Sequence, residues 1–186
     1  MRIISGTHRG TKLFTLEGMN TRPTLDRVKE ALFNILQIKL QDAVVLDLFS
    51  GSGALALESI SRGANYAYLC DNSKAAINII KKNIEKMKIQ DCTEVVNKSY
   101  DRALSDFSIN KTKFDIIFLD PPYESDFAEK SVKYIFENEL LTKDGIIILE
   151  TDNKEKVYKN LENYVDNIYD ERKYGRVHLL LLCRKG

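Results

Sequence analysis

The chain has 186 residues, 44% of them apolar, enough to bury the core of a single domain. Its 28 basic and 27 acidic residues nearly cancel, so net charge alone names no class of partner. Cys70, Cys92 and Cys183 are odd in number, widely spaced and without a C-x-x-C pair. This argues against a disulfide framework and a zinc site, and no run approaches the ~18 apolar residues of a membrane span. The expectation is a cytoplasmic protein with no metal and no membrane contact.

The first segment has two β-prone runs around Gly6 and Gly10, which predicts a hairpin with Thr7, His8 and Arg9 at its tip. Thr24 is the expected cap of a helix to about Gln37, with Val28, Ala31, Leu32, Ile35 and Leu36 on its apolar face. Through Lys39 there are seven basic residues against three acidic ones, so a basic leader precedes an acidic body. That polarity suits a polyanionic ligand.

Strand–helix alternation then begins. The runs 44–49, 66–71, 93–98, 114–120 and 145–151 are short and apolar, as strands buried in a parallel sheet are. Helices are predicted to about Arg62, from Ser73 to Met87, near 101–107, over 126–138 and near 154–162. Ala76, Ile77, Ile80, Ile84 and Met87 form the buried stripe of the second of these. Two last runs, 164–171 and 176–184, have only a short turn at Lys173-Tyr174-Gly175 between them and should pair antiparallel. The expected fold is α/β: a doubly wound sheet of about seven strands with an antiparallel C-terminal edge hairpin. Two regions are expected: residues 1–39, an RNA-facing hairpin and helix, and residues 40–186, the α/β core.

The first strand ends in Asp47-Leu-Phe-Ser-Gly51-Ser-Gly53 and a helix starts at once. Glycines let a backbone approach a ligand there, and the helix start offers N–H groups. The same Gly51-x-Gly53-x-x-Ala56 spacing fits a dinucleotide fingerprint or a tight turn with no ligand. Asp71, about 20 residues on at the end of the second strand, is placed to accept from ribose hydroxyls. Asp47 tips the choice by charge sign, since a carboxylate there opposes a pyrophosphate but suits the ammonium of S-adenosylmethionine.

The fourth strand runs into Asp120-Pro121-Pro122-Tyr123. Consecutive prolines make a rigid extended backbone whose carbonyls remain free to accept. An aspartate and a proline carbonyl can hold the two hydrogens of an amino group, while Tyr123 offers a face for a flipped base. Catalysis would then be orientation and electrostatics. His178, in an apolar strand, and Cys70 read as structural, and Glu58 has no assigned direction.

DLFSGSG followed by DPPY resembles the amino-methylating class I methyltransferases. The leader, Met1-Arg2-Ile3-Ile4-x-Gly6-x-x-Arg9-Gly10-x-Lys12-Leu13, then Arg22-Pro23-Thr24-x-Asp26-Arg27-Val28-x-Glu30-Ala31-Leu32-Phe33-Asn34, is similar to that of RsmD-type enzymes. Ala54-Leu55, Leu57-Glu58 and Tyr174-Gly175 match too, so the resemblance covers essentially the whole chain.

The resemblance implies an S-adenosylmethionine-dependent enzyme that methylates N2 of a guanine in 16S ribosomal RNA, at position 966. Its partner would be the RNA or a small-subunit assembly intermediate. Asp47, Phe49, Gly51, Gly53, Asp71 and Asn72 would hold the cofactor, with Ser99 or Tyr100 toward adenine. Asp120, Pro121, Pro122 and Tyr123 would be the catalytic set. Arg2, His8, Arg9, Lys12, Arg22 and Arg27 would meet nucleic acid. Two positions depart from the family pattern: Phe49 stands at the usual first glycine, and Lys98-Ser99-Tyr100 replaces an acidic residue near adenine. A DNA adenine or cytosine methylase and a nucleotide-binding protein without methyl transfer remain the alternatives.

Overall fold

The computed structural model describes residues 1–16, 23–122 and 125–184. Arg22 and Tyr123, both expected at the site, lie outside the described residues. Seven strands form one sheet: β1 (Val44–Asp47), β2 (Tyr66–Cys70), β3 (Thr93–Val96), β4 (Phe114–Leu119), β5 (Leu141–Thr151), β6 (Ile168–Tyr174) and β7 (Val177–Cys183). Their order is β3-β2-β1-β4-β5-β7-β6, with β7 antiparallel to both neighbours. The order reverses between β1 and β4, which opens a crevice at the C-terminal strand ends.

The C-terminal hairpin explains itself by composition. β7 is VHLLLLC and inserts between β5 and β6, burying Leu179 to Leu182 completely. Each such leucine contributes about 1.5–3 kcal/mol. β6, IYDERKY, takes the edge, where its charges discourage further strand pairing.

The helices are α1 (Pro23–Leu36), α2 (Ala54–Ser61), α3 (Lys74–Met87), α4 (Tyr100–Ile109), α5 (Phe127–Glu137) and α6 (Lys154–Asn160). Ser73 caps α3 by accepting from the Ala76 N–H, and the anticipated stripe of Ala76, Ile77, Ile80, Ile84 and Met87 is buried. Thr24 does not start α1, because the helix already includes Pro23, a residue suited to a first turn. No described helix is long and apolar enough to cross a membrane.

Two apolar layers cover the sheet. α4, α5 and α6 pack on one face, around Phe114, Ile117 and Leu119. On the other, α1, α2 and α3 join Val45, Ile116 and Ile148. Ile3 and Leu13 of the leader and Phe33, Leu36 and Leu40 belong to that same cluster. The boundary near residue 40 is therefore a change of topology and does not separate two cores. The leader therefore packs into the core through Ile3 and Leu13, whatever its basic residues meet.

The predicted hairpin is a narrow one. Arg2 and Lys12 form a single antiparallel bridge, with the Ile3 N–H donating to Thr11 at 2.9 Å and the Leu13 N–H to Met1 at 3.0 Å. Its tip closes on α2, so tightly that a Cβ at Gly6 (φ +84°) would lie 1.7 Å from the Ser61 carbonyl oxygen.

Candidate active site

The ends of β1, β2 and β4 frame a cleft of about 520 Å³, a size suited to a nucleoside-like ligand. Phe49, Gly51, Asp71, Asn72 and Tyr100 line it together with Asp120, Pro121 and Pro122. The two sequence constellations, about 70 residues apart, thus share one space because parallel strands deliver their C-terminal ends to one edge.

Asp71 is held in place by the turn it faces. One carboxylate oxygen accepts the Gly51 N–H at 2.9 Å, and the other accepts the Ser73 N–H at 2.8 Å. Each oxygen retains a lone pair for a ligand hydroxyl. The Gly51 amide is occupied by a carboxylate, so it is not a ready phosphate donor. Gly53 caps α2 with φ +81°, and a Cβ there would meet Leu69 at 2.8 Å. Its role is close packing beneath the turn.

Asp47 is deeper than expected. It is buried and does not line the cleft; its carboxylate accepts from the Ala56 N–H of α2 at 3.3 Å. Burial, together with the nearby Asp71 charge, pushes its pKa up to about 7 despite the Ala56 and Ser50 hydrogen bonds.

Phe118 of β4 pairs with Ile148 of β5, and Leu119 with Leu149, so Asp120 and Glu150 follow side by side. Asp120 is accessible from the cleft that it lines, with protein crowded closely around its carboxyl. That desolvation, then the Glu150 and Asp47 charges, holds its carboxyl well above the usual carboxylate range. The cleft floor is an acidic cluster poised for a cation.

The proline carbonyls are not equivalent. Pro122 accepts from the Ser125 N–H at 3.0 Å and the Ser125 hydroxyl at 2.6 Å. Its carbonyl is therefore engaged, contrary to the expectation of two free acceptors. The Pro121 carbonyl has no partner among the described residues, which leaves it as the acceptor beside Asp120.

Phe127, unassigned by the sequence, stacks on Phe49 at 6.4 Å between centroids and meets Tyr100 at 4.7 Å. These three rings make an apolar wall, and Leu48, Ala76 and Leu16 of the leader extend it. Ser99 begins α4 but does not line the cleft, whereas Tyr100 does. Lys98 also lines it and pairs with Asp106.

Two buried polar residues without an assigned direction or role hold the leader against this site. Asn83 accepts the Phe14 N–H at 2.8 Å and donates to the Phe14 carbonyl and the Ser52 carbonyl, both at 3.0 Å. It therefore joins the leader to the glycine turn. Glu58, fully buried, accepts from the Ile4 N–H (2.8 Å) and Ser5 N–H (3.0 Å), and pairs with Lys29 (3.2 Å) and Arg62 (2.8 Å). The signal for both was a polar residue on a predicted buried helix face.

Of the residues expected at RNA, Arg9, Lys12 and Arg27 are exposed. His8 is not: its Nε2 lies 3.0 Å from the Met87 carbonyl and its Nδ1 2.9 Å from the Thr7 hydroxyl. Both ring nitrogens are engaged within the protein, fastening the leader turn to the end of α3. His178 is buried against Glu171 at 3.1 Å, and Cys70 lies in the core with its thiol pKa pushed up by burial.

Among the described residues, no group of three His, Cys, Asp or Glu residues could hold a metal ion. The acidic floor, the ribose-ready Asp71 and the apolar wall fit a cationic adenosine derivative such as S-adenosylmethionine.

The family model described as conserved hypothetical protein 95 matches residues 1–183. The chain is 38% identical to ribosomal RNA small subunit methyltransferase D of Haemophilus influenzae over 165 residues, covering 88% of this chain and 84% of the relative. The protein of the same name from Escherichia coli is 37% identical over 152 residues, covering 82% and 75%. The solved structure of yhhF from Escherichia coli superposes with a TM-score of 0.84 at 33% identity, covering 100% of this chain and 98% of the other. Sequence, fold and cleft agree, and the chain belongs to the conserved hypothetical protein 95 family, the RsmD-type rRNA methyltransferases.

Proposed function

We propose that this enzyme transfers the methyl group of S-adenosylmethionine to the exocyclic N2 of a guanine in 16S ribosomal RNA, at the position equivalent to 966. The observation that carries the reading is that Asp120 and Pro121 line the same cleft as Asp71 and Gly51. An amine-orienting pair and a ribose-binding carboxylate stand within one ligand-sized space.

When bound, S-adenosylmethionine supplies an electrophilic methyl group. Asp71 receives the ribose hydroxyls, and the Phe49, Tyr100 and Phe127 wall excludes water from the adenosine side. Asp47 and Asp120 receive positive charge. Their raised pKa values mean that a cation in the cleft favours their ionised forms, so cofactor binding readies Asp120 as an acceptor. Asp120 and the Pro121 carbonyl would accept hydrogen bonds from the two amino hydrogens, orienting the nitrogen lone pair toward the methyl donor. Asp120 would receive the one proton that N2 releases on methylation. Tyr123 is assigned the base face, and the basic leader the RNA backbone. A pyrophosphate cofactor suits this floor poorly, because carboxylates crowd it and the Gly51 amide is already engaged.

The experiment is methyl transfer from labelled S-adenosylmethionine to naked RNA and to assembled small subunits, followed by nucleoside analysis. Label in N2-methylguanosine is expected. Asp120→Asn should lower kcat by about 100- to 1,000-fold, the range for losing one preorganised charge contact, with S-adenosylhomocysteine affinity nearly unchanged. Label in adenine or cytosine, or in DNA alone, would overturn the guanine assignment.

A further inference from the structure

At the far end of α2 from the transferase cleft, a second cavity of about 460 Å³ opens between the leader turn, α1 and the end of α2. Arg2, Arg9 and Arg62 converge on it with Asn34, and Glu30 is the one acidic residue among its described lining residues. Just beneath, Glu58 balances Lys29 and Arg62. Arg9 and the terminal nitrogens of Arg62 therefore bring positive charge to the cavity.

Arg62 is built for an anion. Its Nε donates to Glu58 at 2.8 Å, and its guanidinium carbon lies 4.9 Å from the centroid of the Phe33 ring. The side chain is only 12% exposed, so its orientation is set before any ligand arrives. Its terminal nitrogens have no partner among the described residues, and they form the planar fork that matches phosphate oxygens. Arg9 is exposed and likewise without a side-chain partner among the described residues. Lys12, opposite Arg2 across the antiparallel bridge, carries the basic surface beyond the cavity, as a track for a chain of phosphates requires.

We infer that this cavity binds a backbone phosphate of the RNA, at a site separate from the base-binding cleft. α2 spans eight residues, so the two sites stand about 12 Å apart along it. A phosphate gripped there would register the RNA while its target base reaches Asp120, because backbone contacts position a nucleic acid and base contacts specify it. The inference rests on the reading of the substrate as RNA.

The test uses Arg9→Glu with Asn34→Asp, two exposed positions that hold nothing else in the described fold, and Lys133→Glu on α5 as a charge control. Binding of a fluorescent single-stranded RNA is measured on the S-adenosylhomocysteine complex over about 50–200 mM salt. The double variant should bind about tenfold or more weakly at low salt, with a salt slope shallower by about 0.7 per lost phosphate. Lys133→Glu should match the wild type, and S-adenosylhomocysteine affinity should be equal in all three. Methyl transfer from S-adenosylmethionine to RNA is followed separately with the same three proteins. Transfer with equal salt slopes overturns the phosphate site alone. No wild-type transfer to any RNA overturns the substrate reading and this inference with it. If inorganic phosphate raises the melting temperature in an Arg9-dependent way while RNA affinity is unchanged, the cavity takes free phosphate and the RNA assignment falls.

Discussion

Two clusters of buried charge, one at each end of α2, are solved in opposite ways. At the C-terminal end Glu58 is enclosed by two backbone N–H groups, Lys29 and Arg62, so each of its oxygens has donors. At the N-terminal end the Asp47 carboxylate accepts from the neutral Ala56 N–H, the Ser50 hydroxyl donates to the Asp47 main-chain carbonyl, and no cation lies within ion-pair distance among the described residues. The Asp71 charge stands nearby and adds to the cost of ionising Asp47. A matched buried charge fixes a structure, whereas an unmatched one costs stability until a ligand supplies the counter-charge. The first cluster holds the leader in place and the second waits for a cation.

The largest expected effect is at the matched end. Glu58→Ala strands the Ile4 and Ser5 amides and leaves Lys29 buried without its carboxylate. Breaking such a pair typically costs about 3–5 kcal/mol. Urea unfolding measures it, and a loss under about 1 kcal/mol would mean the leader docks without Glu58.

Asp47 should behave the other way. Its folded-state pKa, about 7, lies above the ordinary 3.8, so the folded protein binds an extra proton between these values. The associated stability is fully present below about pH 4 and is lost as pH rises through about 7, roughly 4 kcal/mol at most. Asp47→Asn removes that penalty while keeping an acceptor for the Ala56 N–H. The variant should therefore be more stable than the unliganded wild type at pH 8, with little difference at pH 4, and should bind S-adenosylmethionine more weakly. Parallel melting-temperature profiles for the two proteins would break the contrast with Glu58.

Asp71 lies between the extremes, half-buried and held by two amides. Asp71→Ala should weaken S-adenosylhomocysteine binding by about 1.5–3 kcal/mol, the usual worth of hydrogen bonds to a charged acceptor. It also loosens the glycine turn by releasing the Gly51 and Ser73 amides, so Asp71→Asn, which can retain one of them, should lose less. Calorimetry giving wild-type affinity for the Ala variant would remove Asp71 from the cofactor site.

Much of this molecule was legible in its residues. The strand runs, the Ser73 cap and the α3 stripe are local patterns, and they place Asp71 and Asp120 at the ends of β2 and β4, the strands that flank β1. The composition of β6 and β7 separates an edge strand from a buried one. Glu58 had no legible direction, because its donors come from the leader, α1 and its own helix. Nor could the Pro122 carbonyl be seen as engaged, since Ser125 returns to it only through the shape of the loop.

The sequence by itself determined the elements, their order and the pair of motifs that parallel topology brings to one cleft, because periodicity and turn residues act over a few neighbours. Tertiary structure alone decided that Asp47 sits beneath the cleft, that Asn83 ties the leader to the glycine turn, and that Arg2, Arg9 and Arg62 surround one cavity. Those outcomes depend on groups more than 25 residues apart in the chain meeting in space, where desolvation and charge pairing are settled by packing and leave no local pattern to read.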